Sequence, residues 1–477
     1  MTNAAALMTI LRQSLLLLLA GSGSCARAPG AVPGTPPRSD RIAFVHAAVI
    51  PMDEERVLRD YTVVVARGTI VAMGPTSAVE VPSDAVRIDA TGRYLMPALC
   101  DMHVHLVGSP WNTWLRPDAQ DSLPYERFLF PYVASGVTTV QALWATPEDI
   151  TLRERISRGE LLGPRLILAR MIDGPEKAWP PPLSSWVSSA AEAREAVRRA
   201  KEEGYDKIKV YSFLSRESYD AIVATAGELG MDVIGHVPMS LSVEYVLDAG
   251  QTLIAHSEEV AKHAGGHYDA ERIDTFAARM AQADVWMMPT LVTSRSLVEL
   301  FDDPDRLLAR PEAAYFRHPI EAAFWSFLVE KIYGPVPAEA RRRIRDDYEL
   351  FQRPLTRAFH QQRGRMLAGS DAPLPGLVPG FALHRELREL VQVGLTPYEA
   401  LRTATTNPFE YLGESDRAGT IQVGKQTDLL LLDGNPLEDV SAASKITGVL
   451  IRGRWIGAAE IQRRMQALTA TVEGSGR

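Results

Sequence analysis

At 477 residues, 46% of them hydrophobic and 23% charged, the chain can bury a large core and exceeds the usual length of one domain, so a large domain with a smaller companion is expected. A formal charge of −8, with no Lys/Arg-rich run and no zinc-finger spacing, argues against a nucleic-acid partner. Only Cys25 and Cys100 are present, which excludes a disulfide framework.

In chain order, the N-terminus reads as a targeting segment. Arg12 leads into the apolar run from Leu15 to Ala20, which is too short to span a membrane and has the form of a signal-peptide core. The expected localisation is therefore export, to a periplasm or beyond, with no membrane span. Ala26-Arg27-Ala28 fits a small-residue cleavage site and sets a signal peptide at 1–28. Ser-Gly-Ser before Cys25 resembles a lipoprotein box without its leading Leu, so a lipid anchor at Cys25 is the competing ending, and a soluble form is favoured. Residues 29–40 are Pro/Gly-rich and predict a disordered linker.

Residues 41–74 and 419–456 break into short apolar and β-branched runs separated by turn signals, the pattern of paired strands. Together they predict a small β-sandwich from 41–96 and 417–460, with two unrelated meanders as the bland alternative. Between them, from 97 to 416, β-like runs alternate with helical stretches. Eight runs end in "ALCDMHVH", "GVTTVQAL", "PRLILAR", "DKIKVY", "MDVIGH", "QTLIAH", "DVWMMPTL" and "RMLAGSD", which predicts an α/β fold of the (β/α)8 TIM-barrel type with its site at the strand C-termini. Ser215 and Thr396-Pro397 are expected helix starts. The stretch 292–362 is too long for an ordinary barrel connection, and a pocket wall and extra helices outside the barrel are equally open readings.

Polar residues close these strands. His103 and His105 alternate so that both face one way; Lys209, His236, His256 and Asp371 each end an apolar run where a lone charge is costly to bury. A metal cluster explains all six at once.

The stretches "LMPALCDMHVHL" (95–106), "ASGVTTV" (134–140), "GYDKIKVY" (204–211), "VIGHVP" (233–238), "IAHSEE" (254–259), "LAGSDAP" (367–373) and "GKQTDLLLLDGNPLEDV" (424–440) resemble the amidohydrolase superfamily, in particular its imidazolonepropionase-like branch with metal-dependent Xaa-Pro dipeptidases. The family has Gly where this chain has Ala98. The resemblance implies two divalent ions, zinc by the type of donor: His103, His105 and Asp371 on one, His236 and His256 on the other, with Lys209, carboxylated by carbon dioxide, as the bridge. Mononuclear members lack that lysine, so Lys209 favours the binuclear type. It further implies a water shared by two ions about 3.5–4 Å apart as nucleophile, with Asp371 as the group that moves its proton.

The expected function is hydrolysis of an amide bond in a small molecule, a dipeptide or N-acyl amino acid. A cyclic amide or lactone hydrolase, a deaminase and a non-catalytic barrel scaffold are the alternatives. Tyr211, two residues past Lys209, is a candidate catalytic and substrate contact, and His263 and His267 are candidate substrate contacts. His384 is expected to brace the Asp371 loop, and Cys100 to be a buried small side chain. Oligomeric state is left open, a homo-oligomer included.

Overall fold

The computed structural model describes residues 40–106, 124–176, 179, 181–316, 318–426 and 428–473. The expected signal peptide, the linker up to residue 39 and Cys25 lie outside the described residues.

Strands from both chain ends share one hydrogen-bonded network. β1 (Arg41–Val49), β2 (Leu58–Ala66), β3 (Thr69–Pro75), β4 (Val86–Asp89) and β5 (Tyr94–Pro97) come from the first part of the chain; three more, named below, come from the last. β1 pairs antiparallel with β2 all along, while its other edge holds β4 at residues 42–45 and β5 at 48–49. The network therefore divides at β1 into two leaves. Phe44, Val63, Ile70, Leu95, Leu429, Leu431 and Leu450 from both leaves share one apolar cluster, the burial that makes a two-layer arrangement stable.

The parallel sheet follows: β6 (Leu99–Val104), β7 (Val137–Ala142), β8 (Arg165–Asp173) with the short β9 (Ser185–Trp186) at its side, β10 (Lys207–Val210), β11 (Asp232–Gly235), β12 (Leu253–Ala255), β13 (Trp286–Met288) and β14 (Arg365–Met366). Without β9, eight strands run in the order β14-β13-β12-β11-β10-β8-β7-β6. The chain beyond β14 closes the row onto β6: Met102 N donates to Ala368 O, Asp371 N to His103 O and His105 N to Ala372 O. This is the expected TIM barrel. Cys100, Met102, Leu143, Ile234, Leu253 and Met288 form an apolar cluster from its strands, and a larger cluster joins the strands to the helices. Finally β15 (Leu429–Leu432) pairs with β5 on one edge and β16 (Ile446–Ile451) on the other, and β17 (Arg454–Gly457) flanks β16. All four leucines of β15 are buried, as expected of a strand inside a sheet and not at its edge.

The stretch 292–362 is helical for most of its length. Tyr348, Phe351, Leu355 and Phe359 pack into the barrel-helix core, whereas Phe316, Phe324, Trp325 and Leu328 join a separate aromatic cluster with Trp144 and Met171. Different parts of the segment thus pack into different clusters. Ser215 and Thr396 cap their helices as expected, accepting from Ser218 N and Glu399 N.

Candidate active site

Two local devices let the strands deliver their polar ends. Gly235 has φ +119°, and a Cβ there would lie 2.5 Å from Val210 O and 2.9 Å from Lys209 Cγ; glycine lets β11 approach Lys209. A Cβ on Gly369 would meet His103 Cβ at 2.7 Å, so the glycine of "LAGSD" lets the β14 tail lie against β6.

The six strand-end residues come together. His105 Nε2 and His103 Nε2 lie 2.7 and 3.3 Å from the same oxygen, Oδ1 of Asp371. Ring centroids of His103 are 5.2 Å from His105 and 4.5 Å from His256, and His236 is 5.1 Å from His256. Potential ligand atoms of His103, His256 and Asp371 all lie within 4.8 Å of one another. Lys209 reaches in beneath Tyr211, with Nζ 5.3 Å from that ring.

Each outer histidine is oriented from behind. His236 Nδ1 is 2.9 Å from Glu259 Oε1, whose other oxygen accepts from Val237 N at 3.2 Å. A carboxylate can only accept from the ring, so His236 carries its proton on Nδ1 and turns a bare Nε2 inward. Thr290 Oγ1 donates to Pro289 O at 2.8 Å and accepts from His256 Nδ1 at 2.7 Å, which leaves His256 the same way round. Asp101 accepts from Ser370 Oγ at 2.5 Å and Ser370 N at 2.9 Å, pinning the turn that carries Asp371.

Electrostatics keep the donors neutral. Burial holds His103 and His105 well below the usual imidazole range and lowers His236 to about 4 and His256 to about 3. Burial also brings Lys209 down to about 8, against the pull of Asp371 and Glu259, and pushes the Asp371 carboxyl up. Burial opposes the charge on Glu259 as well, but His236 and Lys262 outweigh it and hold that carboxyl below its usual range. Lys262 Nζ lies 2.5 Å from it.

The donors fit divalent metal ions. His103 Nδ1 and Nε2, His105 Nδ1 and His236 Nε2 are buried without a hydrogen-bond partner among the described residues. Leaving such nitrogens bare costs on the order of 1–3 kcal/mol each, and coordination would relieve one on each ring.

Other candidates stand apart. Tyr211 lies on His236 with centroids 4.1 Å apart, inside the site. His263 lies half-buried in the last turn of the helix Ser257–Ala264, and His267 is exposed beyond it; no ring contact joins either to the four imidazoles among the described residues. His384 differs from expectation: its Nε2 meets Ser135 O at 2.9 Å, so it braces the helix Tyr125–Ala134 and not the Asp371 loop. Cys100 is buried, as expected. Sequence reasoning missed Glu259, Asp101 and Trp144. Glu259 carries a faint signal, an acidic pair one residue past His256 in "HSEE".

A closed parallel barrel thus gathers four imidazoles, a lysine and a carboxylate at its strand C-termini. A family model described as the amidohydrolase family matches residues 94–456, and the chain belongs to that family. It is 34% identical over 102 residues to an imidazolonepropionase of Mycolicibacterium smegmatis, 21% of this chain and 24% of that one. Over 394 residues it is 22% identical to an adenine deaminase of a Ruegeria species, 82% of this chain and 54% of that one. The chain thus spans about a quarter and about half the length of these two relatives. The solved structure of a prolidase candidate from Bifidobacterium longum is similar with a TM-score of 0.65 at 25% identity, covering 91% of this chain and all of that one.

Proposed function

We propose that this protein hydrolyses an amide bond of a dipeptide or an N-acyl amino acid, using two divalent metal ions, zinc by the chemistry of the donors. The observation that carries this reading is the donor set itself: four neutral buried imidazoles, several with bare nitrogens, two of which meet at one Asp371 oxygen. His103, His105 and Asp371 would hold one ion, His236 and His256 the other, with Lys209 between them. When bound, such ions polarise a carbonyl and bring the pKa of a water towards neutrality.

The chain's own residues do the rest. Asp371 accepts the proton of the attacking water on its carboxylate and returns it to the departing nitrogen. Lys209, lowered to about 8, has an accessible neutral amine. That amine adds to carbon dioxide, forming an N–C bond and releasing a proton, and the product carries two oxygens and a negative charge. Glu259 and Thr290 hold two imidazoles in register.

Elemental analysis of purified protein together with a screen of dipeptides and N-acyl amino acids tests this reading. About two metals per chain and release of free amino acid are expected; metal-loaded protein that cleaves none of the panel would overturn it. The likeness to an adenine deaminase supports a second reading, deamination, which ammonia release from adenine in the same screen detects.

A further inference from the structure

An arc of aromatic rings runs from one side of the imidazole cluster to the other. Trp144, just past β7, lies on His105 with centroids 3.7 Å apart. Trp179 meets Trp144 edge-on at 5.4 Å, and its Nε1 donates to Tyr211 Oη at 3.4 Å. Tyr211 then covers His236. The 292–362 segment extends this wall. Phe316 and Trp325 pair at 4.6 Å in the same apolar cluster as Trp144, against which Tyr333 also packs. Trp325 Nε1 donates to Pro373 O at 2.8 Å, two residues beyond Asp371.

These six side chains carry no charge, and five of the six rings have a single polar atom at their edge. Stiff rings of this kind offer a large apolar contact and a few directed hydrogen bonds, the usual make-up of a pocket for an apolar ligand. A charged side chain placed against these rings loses its water, and the rings themselves offer it no counter-ion. Lys262, a cation whose charge bears on His236, is already paired with Glu258 and Glu259.

We propose, resting on the amide-hydrolase reading above, that the substrate sets a bulky apolar side chain, aromatic by preference, against this wall, and that Tyr333 and its neighbours in 292–362 set the preference. The test compares matched dipeptides and N-acetyl amino acids bearing Phe, Trp, Ala, Asp or Lys side chains on the metal-loaded full chain. Aromatic substrates are expected to show kcat/KM roughly tenfold or more above charged ones. Trp179→Ala and Tyr333→Ala are each expected to shrink the aromatic-over-alanine ratio by about tenfold, mainly through KM. A wild-type preference for charged side chains, or a ratio unmoved in both folded variants, overturns the proposal. Binding is read separately by tryptophan fluorescence with N-acetyl-phenylalanine and N-acetyl-aspartate, which need not be cleaved. Tighter binding of the aromatic ligand that weakens in both variants supports the pocket even if no amide is hydrolysed; equal or weaker binding sinks it. An amide hydrolase without this pocket and a pocket without this activity are thereby told apart.

Discussion

Asp371 sits at φ +55° and His256 at φ +66°, both in the left-handed region that costs a non-glycine residue on the order of 1–3 kcal/mol. Thr290, which orients His256, is at φ +48°. Three strand ends thus hold strained backbone where their side chains meet, and the surrounding hydrogen bonds keep it there: Asp371 N donates to His103 O, and Asp101 grips Ser370. Because Asp371 is placed both to bind and to move a proton, Asp371→Asn is expected to leave the circular dichroism spectrum unchanged and cut turnover by roughly a hundredfold or more. Near-normal turnover would take Asp371 out of the mechanism. Lys209 has its own signature. A plain ammonium would repel the ions it faces, so Lys209→Ala is expected to lose most bound metal and activity and to recover part of both with added acetate. An alanine variant that keeps its metal and rate would show that Lys209 is no bridge. These residues were readable because a polar group ending an apolar strand is conspicuous. Asp101 was not, since its partner Ser370 lies 269 residues away and nothing local marks the pairing.

At the scale of elements, Glu386 joins two helices. It lies on the helix Phe381–Gln392, and its carboxyl accepts from Val292 N at 2.7 Å, in the first turn of the helix Leu291–Asp302. Burial raises this carboxyl to about 8. An acid with a raised folded pKa binds its proton more tightly when folded, so its stabilising contribution is full below about 4.5 and is lost as pH rises through about 8. Glu386→Gln keeps an acceptor and has nothing to ionise. Its melting temperature relative to wild type should therefore climb by a few degrees between pH 5 and pH 8.5; a difference that stays flat with pH would show that Glu386 does not titrate in this window. Helix caps such as Ser215 and Thr396 were legible because they are local. The destination of His384 was not: the helix pattern places it near the site, but packing alone gives its ring to Ser135.

For the molecule as a whole, the apolar run before the Pro/Gly stretch supports the proposal of an exported, soluble chain. N-terminal sequencing of protein recovered outside the cytoplasm should find a start at or after Cys25, and an acylated Cys25 would favour the anchored form instead. Alternation of strand and helix patterns was enough by itself to predict the barrel, and the polar residues ending five of its strands were enough to single out six candidate donors, since each signal is written in a stretch of a few residues. Tertiary structure alone decided the rest: closure of the barrel by the tail of β14, the division of the outer sheet at β1, the Glu259 and Thr290 contacts that set the imidazole tautomers, and the ring arc completed by Phe316, Trp325 and Tyr333 from a segment far along the chain from His236. Local sequence carries propensity and periodicity, whereas these features depend on which distant surfaces exclude water together, and that is settled only when the whole chain packs.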